Sequence, residues 1–159
     1  MDIKSGAGYP AGALSNFSPH PFTFRGVEIA SMEGFLQSLK FKDAEMQKHI
    51  CTLVGGKAKR SGAKKNWQRD QILWWQGEPI KRESDEYQEL LDEVYNAMFD
   101  QNEKARNALL ATRNAVLKHS IGRSKESETV LTKNEFCRRL MKIRSRIVHD
   151  KAFEDLNEV

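Results

Sequence analysis

The sequence has few residues of the kinds that form metal sites, disulfide scaffolds and membrane spans. Only two of its 159 residues are cysteines, Cys51 and Cys137, and they lack the spacing of a zinc site or a redox pair. Both fall inside helical patterns, so we expect them to be buried as small apolar residues. The four histidines are scattered along the chain, and no metal site or cofactor is predicted. No apolar run approaches the roughly 20 residues that a membrane-spanning helix needs.

Several sequence signals that would assign a compartment or an enzyme class are also absent. The N-terminus, M-D-I-K-S-G-A-G-Y, does not show the charged-then-apolar pattern of a signal peptide, so a cytoplasmic protein without membrane contact is expected. The motifs GxxxxGK[ST], GxGxxG, GxSxG and HExxH do not occur. Their absence argues against a P-loop NTPase, a Rossmann enzyme, an α/β-hydrolase and a zinc protease.

The composition is that of an ordinary globular domain with an uneven distribution of charge. Hydrophobic residues make up 39% and charged residues 30%, and the net charge is +4. The segment from Lys57 to Arg69 holds six basic residues and no acid, and a second basic run lies between Arg138 and Arg146. Such runs suit a partner that carries phosphate, although each is equally typical of a solvated helix face.

Hydrophobic periodicity predicts a mainly α (α+β) fold, a single compact domain of several helices with a short N-terminal β-hairpin. The hairpin is predicted from alternating apolar residues in 22–29 around Arg25-Gly26. Gly77 and Pro79 are interpreted as chain breaks after a segment that holds all three tryptophans. Thr132 and Glu135 form a capping box before the last helix. Further helices are predicted over 31–41, 43–53, 84–101 and 102–111, and a short helix is predicted in the basic segment. Residues 119–131 are predicted to form a loop, and residues 149–159 an acidic tail that frays.

The predicted helix S-M-E-G-F-L-Q-S-L-K-F, residues 31–41, carries two stripes of different character. Its apolar residues form one stripe, and Ser31 stands where an N-cap is expected. Glu33, Gln37 and Lys40 are spaced i, i+4, i+7 and therefore form a polar stripe beside it. This stripe is interpreted either as a capping acid with solvated neighbours or as part of a binding or catalytic site.

Three other places hold residues that suit nucleotide chemistry. Asn16 and Phe17 stand in L-S-N-F, where the amide can shape a turn or bind a base or ribose. Trp67 follows five basic residues, so that an aromatic face stands beside charges that attract phosphate, yet a tryptophan is equally at home in the core. His119 lies in a polar loop with Gly122 and Arg123. These residues are interpreted either as a second group of site residues or as an incidental feature of the loop.

The stretch L-S-N-F-S-P-H-P-F-T-F-R-G-V-E-I-A-S-M-E-G-F-L-Q-S-L-K-F resembles the opening of the NADAR, or YbiA-like, family. In that family an S-N-F segment, a short hairpin and an S-x-E-x-[FY]-x-Q-x-x-K-F helix follow one another. The resemblance continues through K-K-N-W, F-D-Q-N, A-L-L-A-T and R-R-L-M-K-I-R, and covers about residues 3 to 148. It therefore predicts one NADAR-like domain over 1–148.

The resemblance implies an N-glycosidase that cleaves the bond between a ribose anomeric carbon and a nitrogen. The substrates known for the family are ADP-ribose attached to guanine bases and phosphorylated riboflavin-pathway intermediates. The expected partner is therefore an ADP-ribose-containing or nucleotide-like substrate, with ADP-ribosylated DNA or RNA among the candidates. Glu33 matches the key acidic residue of the family and Trp67 a functional tryptophan. We expect catalytic roles for Glu33, Lys40 and His119, and substrate binding by Asn16, Phe17, Gln37, Trp67, Gly122 and Arg123.

One segment departs from the family pattern and leaves the second catalytic group open. Many members carry D-x-x-W-G before the final helix, whereas residues 117–128 read L-K-H-S-I-G-R-S-K-E-S-E. His119, Glu126 or Glu128 can take the missing role. Two alternatives to a hydrolase therefore remain: a module that binds ADP-ribose without turnover, and a small helical nucleic-acid-binding protein in which Glu33 only caps a helix. The oligomeric state is not predicted.

Overall fold

The computed structural model describes residues 1–158, which form six α-helices and two small antiparallel hairpins. The predicted mainly α fold with a little β structure is thus confirmed. Three single turns of 3₁₀ helix, at Gly12–Leu14, Trp67–Arg69 and Glu126–Glu128, join these elements. The strands are β1 Phe22–Phe24, β2 Val27–Ile29, β3 Ile72–Trp75 and β4 Glu78–Lys81, and the helices are α1 Met32–Ser38, α2 Ala44–Cys51, α3 Gly55–Ser61, α4 Asp85–Gln101, α5 Glu103–Ala111 and α6 Lys133–Asn157.

The first hairpin forms as the sequence predicts. Phe22 pairs with Ile29 and Phe24 with Val27, so that the four apolar side chains share one buried face. The turn residues Arg25 and Gly26 have φ angles of 46° and 79°, the left-handed geometry that a two-residue hairpin turn requires.

The second hairpin was missed because Gly77 and Pro79 were interpreted as breaks. Gln76 and Gly77 repeat the left-handed turn, with φ angles of 50° and 83°. Pro79 lies opposite Trp74, whose N–H donates outward to the carbonyl of Leu39 at 2.8 Å. A proline is tolerated here because this position of a two-stranded sheet needs no donor from it. The same bond attaches β3 to the end of α1.

The core is built around α4. Seven of its side chains are buried and pack with β1, α5 and α6 in one continuous apolar cluster. Cys51 and Cys137 are buried in this cluster, as predicted. The predicted caps also form: Ser31, Asn102 and Thr132 each accept a backbone N–H of the helix that follows, and Thr132 completes the capping box with Glu135.

A buried ion pair links the second hairpin to α6. The guanidinium of Arg82 donates to both carboxylate oxygens of Glu135, at 2.6 and 3.1 Å, and its Nε donates to the carbonyl of Thr129 at 2.9 Å. Burial alone would raise the pKa of Glu135, but the hydrogen bonds from Arg82 and Thr132 hold that pKa below its ordinary value. The sequence pattern predicts only the capping role of Glu135.

The last helix is longer than the predicted final helix. α6 runs without a break across residue 148 and continues to Asn157, so the expected acidic tail is the exposed end of this helix, apart from Val159, which lies outside the described residues. Val148, Phe153 and Leu156 are exposed there. Within residues 1–158, none of the helices combines the length and the apolar character that crossing a membrane requires.

Candidate functional site

The backbone of Glu33 is fixed from three sides. Ser31 Oγ accepts the N–H of Gly34 at 3.1 Å and donates to the carbonyl of Leu53 at 2.8 Å, which ties the start of α1 to the end of α2. Gly34 lies so close to α2 that a Cβ would stand 2.7 Å from the Leu53 oxygen. The N–H of Glu33 itself donates to the carbonyl of Asn16 at 2.9 Å. The first turn of α1 is thus a rigid support for the carboxylate.

The polar stripe predicted on α1 does form a connected group. Gln37 Nε2 donates to Glu33 Oε1 at 2.9 Å. Burial raises the pKa of Glu33, while the Gln37 hydrogen bond and the charges of Lys59, Lys40 and His119 oppose that increase. A carboxylate that is desolvated yet faced by cations is the kind of group that stabilises positive charge developing on a substrate.

Lys40 joins this carboxylate to a neighbouring cleft. Its Nζ donates to the carbonyl of Gly62 at 3.4 Å, and burial lowers its pKa while Glu33 raises it. The cleft beside it has a volume of about 350 Å³ and is lined in part by Trp67, which is only 6% exposed. Trp67 therefore presents a small part of its ring, and base stacking on it stays a prediction. The lining of this Trp67 cleft consists of Lys40, Lys65, Asn66, Trp67, Asp70, Ile72 and Trp74.

Asn16 contacts the backbone of Glu33, and Phe17 follows it in the chain. The hydroxyl of Tyr95 donates to Asn16 Oδ1 at 2.8 Å, which leaves the amide nitrogen of Asn16 as the donor for a ligand. Burial raises the pKa of Tyr95 well above its ordinary value, so this hydroxyl stays protonated and remains a donor. The ring of Phe17 lies 6.0 Å from Lys59 Nζ.

His119 is held in one orientation by residues far away in the sequence. Its Nδ1 lies 2.7 Å from the carbonyl oxygen of Ile3, and its ring packs edge-on against Phe136 at 5.3 Å. Since a carbonyl oxygen only accepts, Nδ1 carries the proton, and in the neutral ring Nε2 is left as an acceptor. Gly122 packs against the ring, where a Cβ would stand 2.5 Å from Cδ2.

The other predicted residues of this loop point elsewhere. Arg123 is exposed and forms an ion pair with Glu128 at 3.6 Å. Within residues 1–158, no hydrogen bond or ion pair joins Arg123, Glu126 or Glu128 to the carboxylate of Glu33. Of the three residues considered for the second catalytic group, His119 is a group whose positive charge, when it is protonated, would oppose the increase in the pKa of Glu33.

We call the resulting group the Glu33 cluster. Three of its members, Tyr95, Gly62 and Lys59, were not predicted as site residues. Tyr95 lies on the apolar stripe of α4, and Gly62 carries no side chain, so no sequence signal distinguished them. Lys59 was noted only as one member of the basic run. The members of the Glu33 cluster are Asn16, Glu33, Gln37, Lys40, Lys59, Gly62, Tyr95 and His119.

Comparison with known proteins places this chain in a family. The profile of bacteriophage protein GP30.3 matches residues 8–145. The chain belongs to the GP30.3 family. A relative from Enterobacteria phage T4, described as an uncharacterized 17.1 kDa protein in the Gp30-rIII intergenic region, is 39% identical over 139 residues, which is 86% of this chain and 91% of the relative.

The fold of this GP30.3-family chain also matches a solved structure. The NMR structure of the E. coli protein YbiA superposes with a TM-score of 0.64 and 21% identity, and the match covers 96% of this chain and 86% of YbiA. At this identity the match shows the fold alone. It confirms the YbiA-like α+β architecture that the resemblance predicted. Together with the match to the GP30.3 family, it confirms the YbiA-like resemblance of the sequence.

Proposed function

We propose that this protein is an N-glycosidase that hydrolyses a ribose–nitrogen bond, with ADP-ribose attached to guanine as its substrate. The observation that carries the proposal is the partly buried Glu33 carboxylate, to which Gln37 donates a hydrogen bond at 2.9 Å and which lies among the charges of Lys59 and Lys40. The YbiA-like fold and the resemblance of the sequence to the NADAR family support the reaction class.

The proposed reaction passes through an oxocarbenium-like state of the ribose. The C1′–N bond breaks and its electron pair leaves with the guanine, while a water oxygen bonds to C1′. One proton of the water stays on the new hydroxyl group and the other replaces the lost bond on the base. Glu33 stabilises the positive charge at C1′, as carboxylates do in glycoside hydrolysis.

The remaining members of the Glu33 cluster have roles that follow from their chemistry. Nε2 of His119 can accept a proton and return it to the leaving nitrogen. Lys40 and Lys59 supply charge for the diphosphate, and the amide nitrogen of Asn16 can donate to a ribose hydroxyl. Trp67 can contact the base only through the small part of the residue that is exposed.

The test is release of ADP-ribose from a single-stranded DNA oligonucleotide that carries ADP-ribose on guanosine. We expect the wild type to release ADP-ribose and Glu33→Gln to be slower by at least about 100-fold, because the developing positive charge loses its carboxylate. Lys57→Ala, a change at an exposed residue of α3 outside the Glu33 cluster, is the control and should remain active. No release by the folded wild type would contradict this choice of substrate.

A binding module without turnover is the second candidate, and the missing D-x-x-W-G segment favours it. In that case the wild type and Glu33→Gln bind ADP-ribose with similar affinity, and neither releases it. Hydrolysis of a phosphorylated riboflavin-pathway intermediate, tested in parallel, would keep the reaction class and change the substrate. A nucleic-acid-binding protein would instead lose affinity for the oligonucleotide steeply as salt increases, and Glu33→Gln would not affect it.

A further inference from the structure

Gly62, the residue that ends α3, lies directly against the polar stripe of α1. A Cβ on Gly62 would overlap with Gln37 Oε1, and would stand only 3.1 Å from Gln37 Cδ and 3.1 Å from Lys40 Cδ. Its carbonyl oxygen accepts the hydrogen bond from Lys40 Nζ. The atoms that a Cβ on Gly62 would meet are therefore side-chain atoms of Gln37, on α1, and of Lys40, just after the end of α1.

The hydrogen bonds of the Gln37 amide do not by themselves explain its position and orientation. The residue is only 7% exposed, and its Oε1 has no hydrogen-bond partner within the described part of the chain. A buried acceptor without a partner is unfavourable, so some other contact must hold the amide in place. Its opposite end, Nε2, donates to Glu33 Oε1. Reversing the amide would place two acceptors against each other.

We infer that Gly62 is a positioning residue, whose missing side chain leaves the space in which the Gln37 amide lies and donates to the Glu33 carboxylate. The backbone of Gly62, with φ −101° and ψ 0°, is open to any residue, so the need for glycine is the close approach and not the turn. The role in catalysis rests on the proposed function, whereas the contact with Gln37 does not.

Filling the space at Gly62 should change the pKa of the Glu33 carboxyl group. In Gly62→Ala the new methyl group would push the Gln37 amide away from its place and break its hydrogen bond to Glu33. That hydrogen bond is the leading influence that lowers the pKa of Glu33 against the effect of burial. Without it the carboxylate should ionise only at higher pH.

The first measurement is a titration of the Glu33 carboxyl carbon by NMR in the wild type, Gly62→Ala and Gly56→Ala. Gly56 is also a glycine of α3, but there a Cβ meets only the flexible end of Arg60, at 3.0 Å. We expect the pKa of Glu33 to increase in Gly62→Ala and to stay unchanged in Gly56→Ala. Equal titration curves for all three folded proteins would overturn the inference.

A double-mutant cycle tests whether Gly62 acts through Gln37. In the wild-type background, Gly62→Ala should lower kcat by about 10- to 100-fold and move the acid limb of the pH profile upward. In the Gln37→Ala background, the same change should alter kcat by less than about twofold and leave the pKa of Glu33 nearly unchanged, because the clash has been removed. An equal effect in both backgrounds would overturn the inference.

Two further outcomes are also decisive. If Gly62→Ala does not fold, the Gln37→Ala/Gly62→Ala protein should fold as well as Gln37→Ala, and its failure to do so would contradict a contact with Gln37. If the wild type releases no ADP-ribose, the proposed substrate fails, while the NMR titration still decides the role of Gly62.

Discussion

At the scale of single residues, the partly buried carboxylate of Glu33 should reduce the stability of the protein at neutral pH. Because burial raises the pKa of Glu33, the folded protein binds the proton of this group more tightly than the unfolded chain does. The stability from this group is thus fully present below the ordinary glutamate pKa and is lost as pH rises through the higher pKa of the folded state. Glu33→Gln removes the group that ionises and still offers an oxygen to Gln37.

We therefore expect Glu33→Gln to unfold at a higher temperature than the wild type at pH 7.5, and at the same temperature at pH 4. An increase of about 1 kcal/mol would move the midpoint of a protein of this size by about 2–4 °C. Thermal unfolding by circular dichroism at the two pH values measures the difference. If the mutant is less stable than the wild type at pH 7.5, the ionised carboxylate stabilises the folded protein, and the prediction is wrong.

The residues of the site differ in how far the sequence could predict them. Glu33, Gln37 and Lys40 share one helix, so their spacing alone places them side by side. Tyr95 reaches Asn16 from α4, 79 residues away, and helical periodicity alone places it in the apolar stripe of that helix. Partners that come from distant elements depend on tertiary packing, which helical periodicity does not describe.

At the scale of elements, the close packing of α1 on the end of α2 makes Gly34 sensitive to substitution. A Cβ at this position would stand 2.7 Å from the carbonyl oxygen of Leu53 and 2.9 Å from that of Ile50. These are backbone atoms and cannot rotate away, unlike a flexible side chain. We expect Gly34→Ala to lower the free energy of unfolding by about 1–3 kcal/mol through overpacking.

Urea denaturation measures this loss, and Gly8→Ala is a suitable control because its Cβ meets nothing within 4 Å. Since α1 carries Glu33, the Gly34→Ala protein should also be less active than its folded fraction accounts for. Full stability in Gly34→Ala would mean that α1 and α2 separate easily, and that the carboxylate is not held rigidly.

The elements themselves were predicted unevenly, for a physical reason. Helices and the first hairpin have regular apolar patterns and local caps, and each of these signals was confirmed. The second hairpin has a proline in β4, which usually argues against a strand. It forms because Pro79 occupies an edge position and because Trp74 bonds to Leu39 of a different element. That compensation is tertiary and leaves no local pattern.

At the scale of the whole molecule, the Arg82–Glu135 pair joins parts of the chain that lie 53 residues apart. Arg82 directly follows the second hairpin, Glu135 lies in the first turn of α6, and Gln88 of α4 donates to the same carboxylate at 2.6 Å. Arg82 is 0% exposed. Because water does not reach the guanidinium, its positive charge is stabilised entirely by these protein partners.

We expect Glu135→Ala to lower the free energy of unfolding by about 3–5 kcal/mol, because it leaves the buried charge of Arg82 without a counterion and also removes half of the capping box. Replacing both residues, as Arg82→Met with Glu135→Met, removes the charges together and should be less destabilising than Glu135→Ala alone. Urea denaturation of the three proteins at pH 7.5 tests this order.

The stability that Glu135 provides should also depend on pH with the opposite sign to that of Glu33. Its pKa in the folded protein lies below the ordinary value, so its contribution is complete above the pKa of the unfolded chain and is lost as pH falls through the lower folded value. The gap between the wild type and the Arg82→Met/Glu135→Met protein should therefore shrink on acidification. A double replacement that is as unstable as Glu135→Ala at every pH would show that packing around these side chains, and not their charge, holds α6 to the second hairpin.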